Sequence, residues 1–305
     1  MDDKKTGIRQ NLTNYGDLGF STFLRKSFIK GLGYSDEMLN KPIVGIINTF
    51  SNYNSCHGNV PDLIQSLRAG VLAKGAIPLE FPTISVHEAF TYPTSMYLRN
   101  LMAMDTEEMI RAQPMDSCVL IGGCDKTVPA QLMGALSVDM PIVQLVTGPM
   151  LTGSHRGERV GACTDCRRLW AKFRAEEIDQ AEIAEANNQL VPTVGTCGVM
   201  GTASTMAMIT ETLGLMPPDS SCAPAVSSER RRIAEYTGEI AVEIATLKRR
   251  PSGILSAKSF ENALIVLLAI GGSTNGLVHL TAIAGRMGIQ LDMDSFDALS
   301  RDIPV

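Results

Sequence analysis

The stretch Val119-Leu-Ile-Gly-Gly-Cys-Asp-Lys-Thr-Val-Pro-Ala-Gln-Leu-Met-Gly134 decides how we interpret the fold of this chain. Its first three residues form a short apolar run, which predicts a buried strand, and the glycine pair that follows predicts the end of that strand. We expect Thr127 to be the N-cap of the next helix, with Pro129 inside the first helical turn. The stretch therefore predicts a strand, a glycine-rich turn and a helix in succession.

The turn carries a thiol, a carboxylate and an amine in three consecutive residues, Cys124, Asp125 and Lys126. By itself this is most simply an ordinary strand-to-helix connection, because single turns of this kind are common. Two further loops carry cysteines, around Cys56 and Cys197, and they make a functional site the better interpretation.

Apolar runs and amphipathic helical segments alternate along the rest of the chain. Further strands are predicted at residues 42–48, 77–84 and 141–146. Helices are predicted at residues 21–32, 93–112, 167–189, 228–249 and 259–270, and from about residues 60, 202 and 277 onwards. This alternation is typical of an α/β fold with a largely parallel sheet flanked by helices. Ligands of such sheets bind beyond the carboxyl ends of the strands. Cys56, Glu88 and the run Cys124-Asp-Lys126 all follow predicted strands, so we expect them at this edge.

The composition sets the class of protein. With 305 residues, of which 45% are hydrophobic, the chain can bury a sizeable core. Its net charge of -5 provides no basic surface for nucleic acid or an anionic membrane. The polar start of the chain lacks a signal-peptide pattern, and the apolar run 263–270 is too short to span a bilayer. We therefore expect a cytoplasmic protein.

The seven cysteines of such a chain are more typical of metal ligands, catalysts or core thiols than of disulfides. Cys56, Cys124 and Cys197, here called the loop cysteines, lie in polar or glycine-rich loops. This placement suits a metal or iron–sulfur site, because thiolates bind soft metals and glycines let backbone N–H groups approach the sulfurs. Cys118 lies within a strand and is expected in the core, and we assign no role to Cys222.

A competing thiol site is the pair in Cys163-Thr-Asp-Cys166. A single pair of this spacing is a weak zinc signal, because structural zinc sites need four ligands. We expect Cys163 and Cys166 to lie apart from the loop cysteines.

Two carboxylates, Glu88 and Asp125, indicate a second kind of site at the same edge of the sheet. Carboxylate oxygens are the ligands of a hard cation such as Mg²⁺. Lys126 beside them is either an ordinary salt-bridge partner or a reactive amine close to the metal. A soft-metal site and a hard-metal site at one edge point to one substrate held by two metals.

Two long motifs carry a resemblance to a known family. Gly123-Cys-Asp-Lys-Thr-Val-Pro-Ala-Gln-Leu-Met-Gly-Ala135 and Gly195-Thr-Cys-Gly-Val-Met-Gly-Thr-Ala-Ser-Thr205 resemble the two signatures of the dihydroxy-acid and sugar-acid dehydratases. Gly148-Pro-Met150, Gly271-Gly-Ser-Thr-Asn275 and the Cys56 loop fit the same family. The similarity covers nearly the whole chain.

The resemblance implies the cofactors, their ligands and the reaction. The loop cysteines would hold a 2Fe–2S cluster, and Glu88, Asp125 and a carbamylated Lys126 would bind Mg²⁺. The implied reaction removes water from a 2,3-dihydroxy carboxylate through an enol, which tautomerises to a 2-keto acid, with both metals acting as Lewis acids. The resemblance also implies a homodimer or homotetramer.

The family's β-rich second domain, with a serine base and a further glutamate ligand of Mg²⁺, cannot be assigned in this sequence. We therefore interpret residues 1–305 as one N-terminal iron–sulfur and magnesium-binding domain, incomplete at its C-terminal end. We expect these residues alone to be inactive, because the base is absent from them.

Two segments bear on the substrate. Residues 80–88 and 96–105 resemble the sugar-acid (aldonate) branch of the family more than the branch of branched-chain amino-acid biosynthesis. We therefore expect an aldonate as substrate and a 2-keto-3-deoxy acid as product. The alternatives are a dihydroxy-acid dehydratase of branched-chain amino-acid biosynthesis and, in another class, a catalytically inactive metal-binding fragment.

Overall fold

A computed structural model describes residues 6–10 and 15–304 of the chain. It confirms the α/β prediction, because four parallel strands form the central sheet in the order β2-β1-β3-β4. These strands are β1 Ile43–Asn48, β2 Ile77–Pro82, β3 Ser117–Gly122 and β4 Ile142–Val146.

Helices cover both faces of this sheet. The α-helices of the described residues, some of which pack away from this sheet, are α1 Leu18–Lys30, α2 Val60–Ala73, α3 Arg99–Ala112, α4 Thr127–Val138, α5 Asp165–Arg174, α6 Gln180–Leu190, α7 Thr202–Thr212, α8 Ser228–Leu247, α9 Ala257–Ala269, α10 Thr274–Arg286 and α11 Met293–Asp302. Within this described part, no helix combines the length and the apolar character that a bilayer span requires.

The side chains of each strand alternate between the two faces of the sheet. In β3, Val119 and Ile121 pack in the apolar layer with α2 and α8, whereas Cys118 and Leu120 pack in the larger layer with α3, α4 and α10. All four side chains are fully buried. A parallel strand covered on both faces has such a continuous apolar sequence. Cys118 is therefore a core residue, as predicted.

The start of α4 differs from the prediction. Thr127 is the first helical residue, and Lys126 occupies the cap position without a side-chain cap bond. The Thr127 N–H donates to the carbonyl oxygen of Cys124 at 3.0 Å, so the chain is already turning one residue earlier than a Thr127 cap would require. The expectation that Thr127 caps the helix is wrong.

The region after β4 contains more short helices and strands than the sequence predicts. A small antiparallel hairpin, β5 Gly153–His155 and β6 Glu158–Val160, was not predicted. The helical segment expected at 167–189 is split into α5 and α6. The break contains Glu176 at a φ of 59°, and the Asp179 side chain then caps α6. The amphipathic pattern continues across this break, so periodicity alone does not reveal it.

Candidate functional site

The carboxyl ends of the parallel strands lie level with one another. Asn48 at the end of β1 pairs with Pro82 at the end of β2, and Gly122 at the end of β3 pairs with Val146 at the end of β4. The loops that follow these strands therefore leave from one edge of the sheet. Predicted site residues in these loops are Cys56, Glu88, Cys124, Asp125 and Lys126.

Cys56 and Cys124 form a buried pair of thiols. The two side chains lie near enough to interact, and the two residues are 3% and 4% exposed. This contact with Cys124, followed by burial, raises the pKa of Cys56 above its ordinary value. A metal that binds such thiols displaces their protons. The pair is thus a candidate ligand pair for a soft metal.

His57 joins the Cys56 loop to the turn that carries Cys124. Its Nδ1 donates to the carbonyl oxygen of Thr49 at 2.9 Å, which leaves Nε2 as an acceptor. Nε2 accepts from the backbone N–H groups of Gly123 at 3.0 Å and Cys124 at 3.2 Å. Burial lowers the pKa of His57 to about 4, so the imidazole is neutral at pH 7. No pattern in the sequence indicates this role, since His57 is one polar residue in a polar loop.

Gly123 lets the Cys124 turn pass close to its neighbours. A Cβ atom at this position would lie 1.8 Å from Thr147 Oγ1 and 3.0 Å from the carbonyl oxygen of Cys56. Any side chain would therefore push the Cys124 turn away from the Cys56 loop. The glycine of this motif is required by the close approach of two thiol-bearing loops.

The Cys197 loop lies beside the segment that follows β4. The Thr196 N–H donates to the Gly148 carbonyl at 2.9 Å, and the Thr196 carbonyl accepts from the Met150 N–H at 2.9 Å. Gly195 has a φ of 119°, and a Cβ there would lie 2.8 Å from both Gly148 O and Met150 N. This parallel extension of β4 brings Cys197 to the edge where the other loops meet.

Cys163 contacts Cys197, so the expectation that Cys163 lies apart from the loop cysteines is wrong. The two Sγ atoms are 3.5 Å apart. The Ala162 N–H donates to the Leu190 carbonyl at 3.0 Å, which ties the turn that carries Cys163 to the end of α6. The hydrogen bond between the thiols lowers the pKa of Cys163 and raises that of Cys197. Cys166 packs instead against the apolar cluster of β6, α5 and α6.

Two of the loop cysteines, Cys56 and Cys124, thus lie together, and the third, Cys197, lies against Cys163. Cys124 and Cys197 lie near enough for their charges to interact. Across residues 6–10 and 15–304, no three His, Cys, Asp or Glu side chains are grouped so that they could hold a single metal ion. Cys222 is exposed, and its thiol lies 3.6 Å from Ser221 Oγ.

Lys126 is the centre of a group of charges beside Cys124. The residue is 3% exposed, and its Nζ lies 2.6 Å from Asp125 Oδ2 and 4.0 Å from Glu88 Oε2. Cys124 Sγ lies 3.5 Å from Asp125 Oδ1. The structure therefore brings Glu88, Asp125 and Lys126 together, as an ion pair with a second carboxylate nearby, next to a buried thiol.

Ser95 orients the Glu88 carboxylate and was not identified from the sequence. Its backbone N–H donates to Glu88 Oε2 at 2.9 Å, and its hydroxyl donates to the same oxygen. Burial alone would raise the pKa of Glu88, but the hydrogen bonds from Ser95 and Thr94, together with the charge of Lys126, outweigh burial and hold this pKa below its ordinary value. Glu88 is therefore ionised at neutral pH and able to bind a cation.

Arg99 and His279 form a second polar contact that sequence analysis missed. Arg99 Nη1 donates to His279 Nδ1 at 3.1 Å, so Nδ1 carries no proton and the neutral ring is protonated at Nε2. His279 is fully buried, and Nε2 finds no hydrogen-bond partner among the described residues. Burial, followed by the charges of Arg99 and Lys126, lowers the pKa of His279 to about 3.

Comparison with known proteins identifies the family to which this arrangement belongs. Residues 41–305 match the family model described as dihydroxy-acid/6-phosphogluconate dehydratase N-terminal. The chain belongs to this dehydratase family. The matched residues include both signature motifs and all of the site described above, which confirms the resemblance found in the sequence.

Several curated relatives are similar over most of this chain. An L-arabinonate dehydratase from Rhizobium leguminosarum bv. trifolii is 43% identical over 95% of this chain and 50% of its own length. A 6-deoxy-6-sulfo-D-gluconate dehydratase from Pseudomonas putida is 41% identical over 88% of this chain and 47% of its own length. A dihydroxy-acid dehydratase from Natronomonas pharaonis is 36% identical over 92% of this chain and 48% of its own length. The chain thus spans about half the length of these relatives.

Proposed function

We propose that this chain provides the cofactor-binding part of a hydro-lyase that removes water from a 2,3-dihydroxy carboxylate. The observation that carries this proposal is the adjacency of two kinds of ligand. The buried thiol of Cys124 lies 3.5 Å from the carboxylate of Asp125, which in turn lies 2.6 Å from Lys126. A thiol site and an oxygen site this close can act on neighbouring atoms of one small substrate.

The two sites would be held by different residues. Cys56, Cys124 and Cys197 are the ligands proposed for a 2Fe–2S cluster, which thiolates and glycine-rich loops favour. Glu88, Asp125 and Lys126 are proposed for Mg²⁺, with Lys126 acting as a carbamate. When bound, the two cofactors supply Lewis acidity at adjacent positions of the substrate.

The protein's own residues prepare both sites before any substrate arrives. Ser95 holds the Glu88 carboxylate in one orientation through two hydrogen bonds. His57 fixes the Cys124 turn against the Cys56 loop. Burial of Cys56 and Lys126 excludes water, which strengthens the charge interactions on which such chemistry depends.

We infer an aldonate as the substrate. The relatives named for L-arabinonate and 6-deoxy-6-sulfo-D-gluconate are 43% and 41% identical to this chain. The relative named dihydroxy-acid dehydratase is 36% identical. These values favour the sugar-acid branch, as do residues 80–88 and 96–105. A branched 2,3-dihydroxy acid is the alternative substrate.

The experiment is anaerobic purification, followed by iron and sulfide analysis and an assay for 2-keto acid formation. Replacement of Cys56, Cys124 or Cys197 by Ser should each remove most of the iron and visible absorbance. Cys118→Ser, in the core of β3, is the matched control and should leave both nearly unchanged. Wild-type protein without iron, or equal loss from the Cys118 variant, would contradict the proposed ligands.

The assay also decides the substrate and the expected inactivity of residues 1–305 alone. In a protein that also carries the family's second domain, we expect L-arabinonate to be converted at least about tenfold faster, in kcat/KM, than a branched 2,3-dihydroxy acid. A site with polar groups for the aldonate hydroxyls would leave those groups unpaired when it binds the branched acid. Turnover by the 305-residue chain on its own would show that its own groups suffice for proton removal.

A further inference from the structure

We propose that Arg99 binds the carboxylate of the substrate, and that His279 is the positioning residue that holds the Arg99 guanidinium in place. This assignment rests on the dehydratase of the proposed function and adds a substrate-binding residue to it. Neither residue lies in the signature motifs at 123–135 and 195–205 or among the proposed metal ligands.

Arg99 is a half-buried cation that no carboxylate balances. Its Nε and Nη2 atoms lie 3.4 and 3.2 Å from Oδ1 of Asn100, and Nη1 donates to His279 Nδ1 at 3.1 Å. Both partners are neutral, and within the described part of the chain Arg99 forms no ion pair. Burial, followed by the charge of Arg286, lowers the pKa of Arg99, so its surroundings disfavour the charged form. An anion that bound there would offset this unfavourable environment.

Arg99 and His279 lie beside the site proposed for Mg²⁺. The backbone N–H of Ser95 donates to Glu88 Oε2 at 2.9 Å, and the short turn that begins at Ser95 leads directly into α3, of which Arg99 is the first residue. Helices α3 and α10, which carry the pair, both pack against α4, and Lys126 is the cap residue at the start of α4. Lys126 lies near enough for its charge to lower the pKa of His279. The pair is thus connected to Glu88 through the chain and lies close to Lys126.

The chemistry of Arg99 favours a carboxylate as its ligand. The parallel N–H donors of a guanidinium match the two oxygens of a carboxylate, and bonds between such charged groups are stronger than bonds between neutral ones. The carboxylate is also the one full negative charge that an aldonate carries. It is therefore the part of the substrate that an unbalanced cation binds most strongly.

His279 holds the guanidinium without neutralising it. The ring is fully buried, and its Nδ1 accepts the bond from Arg99. Burial, followed by the charges of Arg99 and Lys126, lowers the pKa of His279 to about 3, so the ring is uncharged at neutral pH. A carboxylate in its place would also accept from Arg99, but its charge would compete with an incoming anion. A neutral acceptor therefore suits an arginine whose charge is kept for a ligand.

Kinetics of a protein that also carries the family's second domain test this assignment. Arg99→Gln removes the charge, and Arg111→Gln, at an arginine about 18 Å further along α3, is the matched control. We expect Arg99→Gln to keep its iron and Mg²⁺ but to raise the KM for L-arabinonate at least about tenfold, because a hydrogen bond to a charged group typically contributes this much. Arg99→Lys should recover part of the loss, since it keeps the charge but not the two parallel donors. Arg111→Gln should behave as the wild type.

Glycolate shows which end of the substrate Arg99 contacts, because it has the carboxylate and C2 hydroxyl of an aldonate but no C3 hydroxyl to lose. Its dissociation constant, measured by calorimetry, should rise in Arg99→Gln by the same factor as the KM for L-arabinonate. A loss confined to L-arabinonate would place Arg99 at the distal hydroxyls. A wild type that converts L-arabinonate but does not bind glycolate would show that the carboxylate end does not determine binding. Either result would overturn the proposal.

The role of His279 is tested by combining variants. His279→Leu removes the acceptor and should raise the KM, whereas His279→Gln, whose carbonyl can accept from Arg99, should stay close to the wild type. In the Arg99→Gln background, His279→Leu should cause no further rise, because His279 acts on the substrate only through Arg99. Additive losses from the two substitutions would make His279 a structural residue only.

The outcomes also separate this inference from the proposed function. Unaltered kinetics and glycolate binding in Arg99→Gln contradict only the inference. Loss of Mg²⁺ from Arg99→Gln would make Arg99 a support of the metal site rather than a substrate ligand. A wild-type protein without iron, or without turnover of any 2,3-dihydroxy carboxylate, contradicts the proposed function itself.

Discussion

His57 Nε2 accepts a hydrogen bond from the backbone N–H of Cys124 at 3.2 Å. The residue directly follows Cys56, so one imidazole links the loops that carry both thiols of a buried pair. A neutral ring is required, because a protonated His57 would donate from both nitrogens and could not accept at Nε2. The lowered pKa of His57, about 4, satisfies this requirement.

Replacement of His57 by Ala should loosen the two thiol loops. The N–H groups of Gly123 and Cys124 would lose their acceptor, and each buried donor left unpaired costs about 1–3 kcal/mol. We expect iron content below half that of the wild type and a lower free energy of unfolding. His57→Gln, whose side-chain carbonyl can accept, should recover part of the iron. His155→Ala, at a buried histidine of the β5–β6 hairpin, should leave the iron unchanged. Full iron content in His57→Ala would show that the loops do not depend on this bond.

The strands and the core cysteine could be predicted from the sequence, whereas Cys163 could not. Val119 to Ile121 form an uninterrupted apolar run, because both faces of β3 are covered, and this also assigned Cys118 to the core. The position of Cys163 depends on packing between separate elements. The Ala162 N–H donates to the carbonyl of Leu190, and α5 and α6 separate these two residues along the chain. Nothing in the sequence around Cys163 indicates that contact.

The site was predictable to the extent that it lies in motifs. Glu88, Asp125 and Lys126 were identified because they follow strands of a parallel sheet, and the structure brings them together. Ser95 and His279 were missed, since the two bonds from Ser95 to Glu88 and the one from Arg99 to His279 leave no periodic pattern in the sequence. The prediction that Thr127 caps α4 was wrong because the chain begins to turn at Lys126. Backbone hydrogen bonds, rather than residue type, set this start of the helix.

His279 should make the stability of the protein depend on pH. Its pKa is about 3 in the folded state and about 6.5 when unfolded. Below pH 6.5 the unfolded chain takes up a proton that the folded protein does not. The titration of His279 therefore lowers the free energy of unfolding as pH falls, by about 1.4 kcal/mol per pH unit, until the pH nears 3. Above pH 6.5 this contribution is constant.

His279→Gln should remove this contribution, because glutamine does not titrate and its carbonyl can still accept from Arg99. Urea unfolding at pH 7, 6 and 5 measures the effect. Between pH 6 and 5, the free energy of unfolding should fall by about 1 kcal/mol less in the variant than in the wild type. Parallel curves for the two proteins would mean that His279 does not stay neutral in the folded state.

Self-association is expected from the apolar side chains that α1 leaves exposed. Phe23 is 65% exposed, Phe28 74%, and Leu32, just beyond the helix, 74%. Such apolar patches favour contact with another protein surface. We expect light scattering to give the mass of a dimer or tetramer. The double substitution of Phe23 and Phe28 by Ser should reduce that mass, and Tyr236→Ser, at an exposed aromatic residue of α8, should not. A wild-type protein that stays monomeric at high concentration would contradict this expectation.

The chemical form of the Lys126 side chain decides whether it is an ion-pair partner or a metal ligand. As an ammonium group, 2.6 Å from Asp125, it has donors only and cannot bind a cation. As a carbamate, formed when the neutral amine adds carbon dioxide and releases a proton, it offers two oxygens to Mg²⁺ beside Glu88 and Asp125. Arginine retains the positive charge and the ion pair but cannot form this carbamate.

In a protein that also carries the family's second domain, Lys126→Arg should therefore keep its iron and lose Mg²⁺. Its activity should fall by about 100-fold or more, since even indirect supports of metal ligands contribute 10–100-fold. Lys74→Arg, at a surface lysine paired with Glu239, is the control and should behave as the wild type. Growth with ¹³C-labelled bicarbonate should yield a carbamate signal in the ¹³C NMR spectrum of the wild type and none in Lys126→Arg. Bound Mg²⁺ and near-normal turnover in Lys126→Arg would show that Lys126 acts only as the ion-pair partner of Asp125, because a guanidinium cannot replace a carbamate as a ligand.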